Sequence, residues 1–260
     1  MILDNTIPDN WLLLSAGGLV SGILAGFLGI GGGTLLVPLQ VALGYAPVEA
    51  VATSSLAILM TALSGSWQNW RMGYLNLRNV LLLGLPALVT AQLGAEVADR
   101  LPARWLLVAF GLLLWVNIYL VGLRKRLANR EEEHPSKWFN PIVTRLVTGS
   151  AAGMLAGLFG VGGGVIMVPL QILLLGVAIK AAIQTSLGAI VITAAAAATG
   201  HALKGNVLVV EGVLLGIGGL LGSQLSTRFL PKLRDRTLHI AFRTLLLLLS
   251  GYVFWQAWQM

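Results

Sequence analysis

The sequence has no cysteine and little charge: Asp, Glu, Lys and Arg make up 10% of its 260 residues. Soluble domains carry about 25%. Without cysteine, disulfides and thiolate metal centres are excluded, and the redox compartment is left unreadable. Only 10 residues are acidic and 3 are His, and Glu49, Glu96, Asp99 and Glu211 all fall near the ends of apolar runs. The buried carboxylates that usually carry proton- or sodium-coupled transport are therefore missing from the sequence pattern. So is the His, Asp, Glu or Cys constellation that a membrane-embedded enzyme would need. No catalytic group, metal site or cofactor is expected.

What fills the chain instead is apolar. Hydrophobic residues are 57% of the sequence and the mean hydropathy is +0.84. This reads as an all-α, polytopic membrane protein with the lipid bilayer as its main surroundings. Met1–Asn10 carries Asp4 and Asp9 but no Lys or Arg, so it does not read as a cleaved signal. The net charge of +7 would suggest nucleic acid in a soluble protein. Here no aromatic-basic interleaving supports base stacking, and basic loops serve to orient a membrane protein. No nucleic-acid partner is expected.

The most informative feature is a duplicated segment. Gly26-Phe-Leu-Gly-Ile-Gly-Gly-Gly-Thr-Leu-Leu-Val-Pro-Leu-Gln40 returns as Gly157-Leu-Phe-Gly-Val-Gly-Gly-Gly-Val-Ile-Met-Val-Pro-Leu-Gln171, with nine of fifteen positions identical. Only Thr34, opposite Val165, changes chemical class. The match continues through Thr53-Ser54 and Thr185-Ser186, Gly73 and Gly205, Gly84 and Gly216, and Gln92-Leu93 and Gln224-Leu225. The whole half is duplicated, as in transporters built from two repeats. Expected boundaries are 1–123 for the first repeat, 124–141 for a charged linker and 142–260 for the second.

Each half opens on an overlong apolar stretch, Trp11–Leu43 and Ile142–Leu175, while one bilayer crossing needs about 20 residues. A helix that enters, breaks at the glycines and turns back fits this length. If each half is one such re-entrant segment plus three spans, the second half is inverted. Fourteen basic residues then share one side, and only Arg100, Arg104 and Lys204 lie on the other. A single crossing by every stretch would divide them 8 and 9. The positive-inside rule favours the inverted arrangement, with both termini outside.

Four glycines in five residues, Gly29, Gly31, Gly32 and Gly33, cannot make a good helix, because each costs about 1 kcal/mol against alanine. Freed backbone amides in lipid must be satisfied by protein or by a polar cavity. Amide N–H groups beside a half-helix N-terminus form an anion cradle. The same holds for Gly160, Gly162, Gly163 and Gly164. Pro38 and Pro169 would start or kink the outgoing half-helix. Gln40, Gln171, Thr34, Thr53, Ser54, Thr185 and Ser186 offer amides and hydroxyls along the same path, although Ser and Thr also back-bond to their own helix. Gly18, Gly22 and Gly26, like Gly149, Gly153 and Gly157, are spaced by four and read as helix-packing ridges. Gln92 and Gln224 either join helices or meet substrate, and His201 is a proton-shuttle candidate near a helix end. A P-loop is excluded, since no Gly-Lys-Ser/Thr ending follows the cluster.

The double Gly-x-Gly-Gly-Gly segment running into Val-Pro-Leu-Gln, the paired Thr-Ser and the Gly…Gln-Leu pair resemble the sulfite exporter TauE/SafE family, over about Ser15 to Trp258. The resemblance implies a bacterial membrane transporter that exports or takes up sulfite, sulfonates or similar small anions; with the duplicated halves, the expected mechanism is alternating access around a midplane site in the inner membrane. It also implies that the two glycine clusters, Gln40, Thr53, Ser54 and their counterparts line the path. A non-transporting scaffold and an anion channel are the rival readings, and a homodimer is left open.

Overall fold

The computed structural model describes residues 8–128 and 140–259. Among these the chain is helical throughout, with no strand. The first half forms α1 (Trp11–Leu28), α2 (Gly33–Ala42), α3 (Pro47–Arg71), α4 (Leu77–Arg100) and α5 (Ala103–Ala128). The second repeats this as α6 (Pro141–Phe159), α7 (Gly164–Leu175), α8 (Ile179–Ala202), α9 (Val209–Phe229) and α10 (Asp235–Gln259). Six of these, α1, α3, α4, α6, α8 and α9, are long and apolar enough to cross a membrane. Helix α5 runs on to Ala128, so the start of the expected linker is helical; residues 129–139 lie outside the described residues.

The overlong first stretch of each half is two helices of unequal length, 18 and 10 residues in the first half and 19 and 12 in the second. The chain doubles back between them. Ser21 Oγ donates to the Gly32 carbonyl at 2.9 Å, which puts the start of α2 two turns back from the end of α1. Leu39 packs on Gly17, and Tyr45 Oη donates to Asn10 Oδ1 at 3.4 Å. The end of α2 has returned to the beginning of α1. Pro38 lies inside α2 and Pro169 inside α7. The helices start instead at Gly33 and Gly164, five residues before each proline, because the missing proline N–H matters less than the glycine break upstream.

The two halves interlock through small residues. Gly18, Gly22 and Gly26 of α1 face Leu215, Gly219 and Ser226 of α9, so the two helices run side by side in the same direction. Gly149, Gly153 and Gly157 of α6 face Leu83, Ala87 and Ala91 of α4 in the matching way. A methyl at any of these six glycines would strike partner backbone or side-chain oxygen. Close backbone approach of this kind drives helix association where burial from water supplies no force. Helices α3 and α8 lie between these pairs: Ser64 Oγ of α3 bonds the Leu220 carbonyl of α9 at 2.9 Å, and Gln92 Nε2 of α4 bonds the Ala196 carbonyl of α8 at 2.7 Å. Large apolar side chains including Trp11, Trp67, Trp105, Trp115 and Trp255 are exposed around the outside, as a lipid-facing surface requires.

The turns gather into two ends. At one, Lys204 after α8 bonds Glu96 of α4 at 2.6 Å, and Asn206 bonds Asp99 at 2.7 Å. The Leu208 N–H at the same end donates to Thr53 Oγ1 near the start of α3, at 3.0 Å. At the other, Lys180 bonds the Pro231 carbonyl at 3.1 Å. The Glu96 carboxylate, hydrogen-bonded to Lys204, holds that ammonium above the usual lysine range.

Candidate functional site: two facing helix breaks

The backbone between α1 and α2 is left-handed at Gly29, Gly31 and Gly32, with φ of 68°, 76° and 86°. Between α6 and α7 it is left-handed at Gly160, Gly162 and Gly163, with φ of 61°, 73° and 78°. Any L side chain would cost about 1–2 kcal/mol at each such position. The fourth glycine of each cluster is there for space. A methyl on Gly33 would strike the Gly160 carbonyl, and one on Gly164 would strike the Gly29 carbonyl. These contacts are reciprocal between equivalent positions, as in a two-fold interface. The glycine breaks therefore meet each other, at the centre of the molecule.

Side chains hold the backbone of both breaks in place. Ser21 takes the Gly32 carbonyl, and Thr193 Oγ1 takes the Gly162 carbonyl at 2.9 Å. Ile58 and Ile190, equivalent residues of α3 and α8, flank both Gly31 and Gly162. Among the described residues, no hydrogen bond uses the amide N–H groups of residues 30–34 or 161–165. All ten residues are buried. A buried N–H without an acceptor costs several kcal/mol in lipid. Ten such donors are grouped at two helix N-termini, where amide groups and helix dipoles favour negative charge. Thr34 Oγ1, in the first turn of α2, is also fully buried without a partner, while its equivalent Val165 is apolar.

The other residues singled out by the sequence lie further off. Gln40 Nε2 donates to Ser54 Oγ at 2.7 Å and to the Ala50 carbonyl at 3.2 Å. Gln171 Nε2 donates to Ser186 Oγ at 2.9 Å and to the Ala182 carbonyl at 3.4 Å. Each pair clamps the short helix of a hairpin to the long helix after it, and Gln40 stands about 10 Å along α2 from its first residue at 1.5 Å rise per residue. Thr53 is occupied by the Leu208 amide; Thr185 is buried beside Ser186. Gln92 and Gln224 join helices: Gln224 Nε2 donates to Gln68 Oε1 at 3.0 Å. His201 is fully buried, its Nε2 2.8 Å from the Gly157 carbonyl. Ser21, Thr193, Ile58 and Ile190 are the site residues that sequence reasoning missed. Thr193 has an equivalent in Thr61, which was a usable signal; Ser21 faces Ala152 in the repeat and gave none.

Comparison with known proteins covers both halves of the chain. The profile of the family described as sulfite exporter TauE/SafE matches residues 14–253. A probable membrane transporter protein of Xylella fastidiosa (strain 9a5c) is 30% identical, over 97% of this chain and 98% of its own. The probable membrane transporter protein YdhB of Bacillus subtilis is 26% identical, over 80% of this chain and 85% of its own. Sulfite exporter TauE/SafE family protein 1 of Arabidopsis thaliana is 30% identical over 37% of this chain and 22% of its own.

Proposed function

Because the chain belongs to the sulfite exporter TauE/SafE family of membrane transporters, we propose that it carries a small sulfur-containing or organic anion, such as sulfite or a sulfonate, through the two facing glycine breaks. The observation that carries this reading is the set of buried, unpartnered amide N–H groups at residues 30–34 and 161–165. An oxyanion accepts several such bonds at once, and two helix N-termini favour its charge. Among the described residues no Asp or Glu is buried, which fits the same substrate sign. Ser21 and Thr193 fix the carbonyls of Gly32 and Gly162 within the breaks. Gln40–Ser54 and Gln171–Ser186 brace the short helices against movement.

In this reading the halves are inverted and rock about the breaks, with the Arg-rich end cytoplasmic and both termini outside a bacterial inner membrane. Support comes from helix direction. Helix α1 runs with α9 and α6 runs with α4. Since α9 also runs with α3, where Gly212 and Gly216 meet Leu56 and Met60, and α3 and α4 are joined by a short turn, α1 and α6 point oppositely. A site at the midplane between inverted repeats, built from half-helices, is the arrangement that alternating access needs.

The test is uptake of radiolabelled sulfite, a short sulfonate and sulfate into proteoliposomes. Saturable flux of one anion, inhibited by its close analogues, is expected. Monodisperse, folded protein that moves none of them would sink the reading and favour a scaffold role.

A further inference from the structure

The α1–α3–α9 seam holds a group of polar atoms that transport through the breaks leaves unused. Ser223 Oγ, Thr227 Oγ1 and both amide atoms of Asn69 are buried without a hydrogen-bond partner, and all three residues are fully enclosed. They lie together. The point where Gly65 would carry a Cβ is 2.5 Å from Ser223 Oγ and 3.2 Å from Thr227 Oγ1. The matching point on Gly26 is 2.8 Å from Thr227 Oγ1. Asn69 follows Gly65 by one turn of α3. The two missing side chains thus let these hydroxyls approach the backbone of α1 and α3 closely.

Hydroxyls at membrane depth ordinarily bond back to their own helix. Thr61, Ser55 and Thr199 do so here, to Ala57, Val51 and Ala195. Ser223 and Thr227 do not. On the neighbouring face of the same seam, Ser64, Gln68 and Gln224 are all paired with one another or with backbone. The lack of partners is confined to the inner group.

The repeat sharpens the point. The residues equivalent to Ser223 and Thr227 are Ala91 and Ala95, and the equivalent of Asn69 is His201. In the second half His201 takes the Gly157 carbonyl. In the first half Gly26 is the matching residue, and among the described residues no hydrogen bond uses its carbonyl or those of Phe27 and Leu28. The group therefore sits at the C-terminal ends of α1, α3 and α9, where helix dipoles present negative charge. The basic residues near it on α3 and α9, Arg71 and Arg228, are exposed, whereas the group is enclosed.

Neutral oxygens, free carbonyls and three helix C-termini have the character of a hard-cation site, not an anion site. We propose that Asn69, Ser223 and Thr227, with the carbonyl end of α1, bind a monovalent alkali cation of sodium size that is coupled to transport. The coupling role rests on the transport reading above; the binding itself does not.

The experiment uses the full chain in detergent, with NaCl or KCl replacing choline chloride at constant ionic strength. A saturable rise in Tm of about 5 °C is expected for sodium over choline. Ser223→Ala, shaped on Ala91 of the other half, and Thr227→Val, which keeps the shape of threonine, should fold and raise the half-saturating sodium concentration at least tenfold. Thr199→Val, which loses only a back-bond, should leave it unchanged. No saturable difference between sodium and choline, or an unchanged response in both seam variants, would overturn the proposal. Anion flux into vesicles made with the same protein separates the two readings: flux without any sodium response removes the cation site and leaves transport standing.

Discussion

Replacing single glycines of a break separates conformational cost from steric cost. A methyl on Gly31 would meet Ile58 Cγ2 at 3.1 Å and the Val161 carbonyl at 3.2 Å, tight contacts that shifts of a few tenths of an ångström relieve, while φ stays at 76°. Gly31→Ala should therefore fold, with Tm lowered by about 2–8 °C from 1–2 kcal/mol of left-handed strain. Gly33→Ala drives a methyl into the Gly160 carbonyl instead, and should lose flux as the breaks are pushed apart, measured on protein matched for monodispersity. At Gln40 the expectation differs. Its amide binds Ser54 and backbone carbonyls, so Gln40→Leu should cost about 1–3 kcal/mol in thermal stability and leave KM within about threefold. A KM raised tenfold at unchanged Tm would instead make Gln40 a substrate ligand.

Helix contacts carry the next level. The ridges at Gly18, Gly22 and Gly26 hold α1 against α9 with no room for a side chain. Gly22→Leu should abolish monodisperse protein on size exclusion, whereas the same change at Gly251, which faces open space, should be tolerated. By contrast the Glu96–Lys204 bridge is partly exposed, and such pairs add little to stability. Lys204 has its pKa raised. Its contribution is therefore complete below the ordinary lysine range and is lost only as pH rises through the raised folded value, so this pair should leave stability flat around neutrality. Much at this scale was legible in the sequence. Glycine spacing marked both the ridges and the breaks, because a missing side chain leaves the same trace whatever it packs against. The pairing of Gln40 with Ser54, fourteen residues on, was not legible, nor was the bond from Ser21 to Gly32. Those depend on how far the hairpin folds back, which no local pattern encodes. Pro38 misled for the same reason: its effect on α2 is set by a helix start five residues upstream.

For the whole molecule, the reciprocal contacts of Gly33 with Gly160 and Gly164 with Gly29 make the repeat a structural relation. The proposed inverted arrangement would place equivalent turns on opposite faces of the membrane, and the cysteine-free sequence gives a clean background to check it. Single cysteines at Gly44 and Gly205 should label from outside intact cells, and those at Gly73 and Gly176 only after permeabilisation; all four positions point into open space. Labelling of equivalent turns from the same face would overturn inversion. The central claim, that amides of the two breaks hold the transported anion, is tested most directly by hydrogen–deuterium exchange on the folded protein with and without that anion. Protection rising together in peptides covering 26–40 and 157–171, and not in the α5–α10 pair, is the result the account predicts. Saturable flux with exchange at both breaks unchanged by the anion would contradict it.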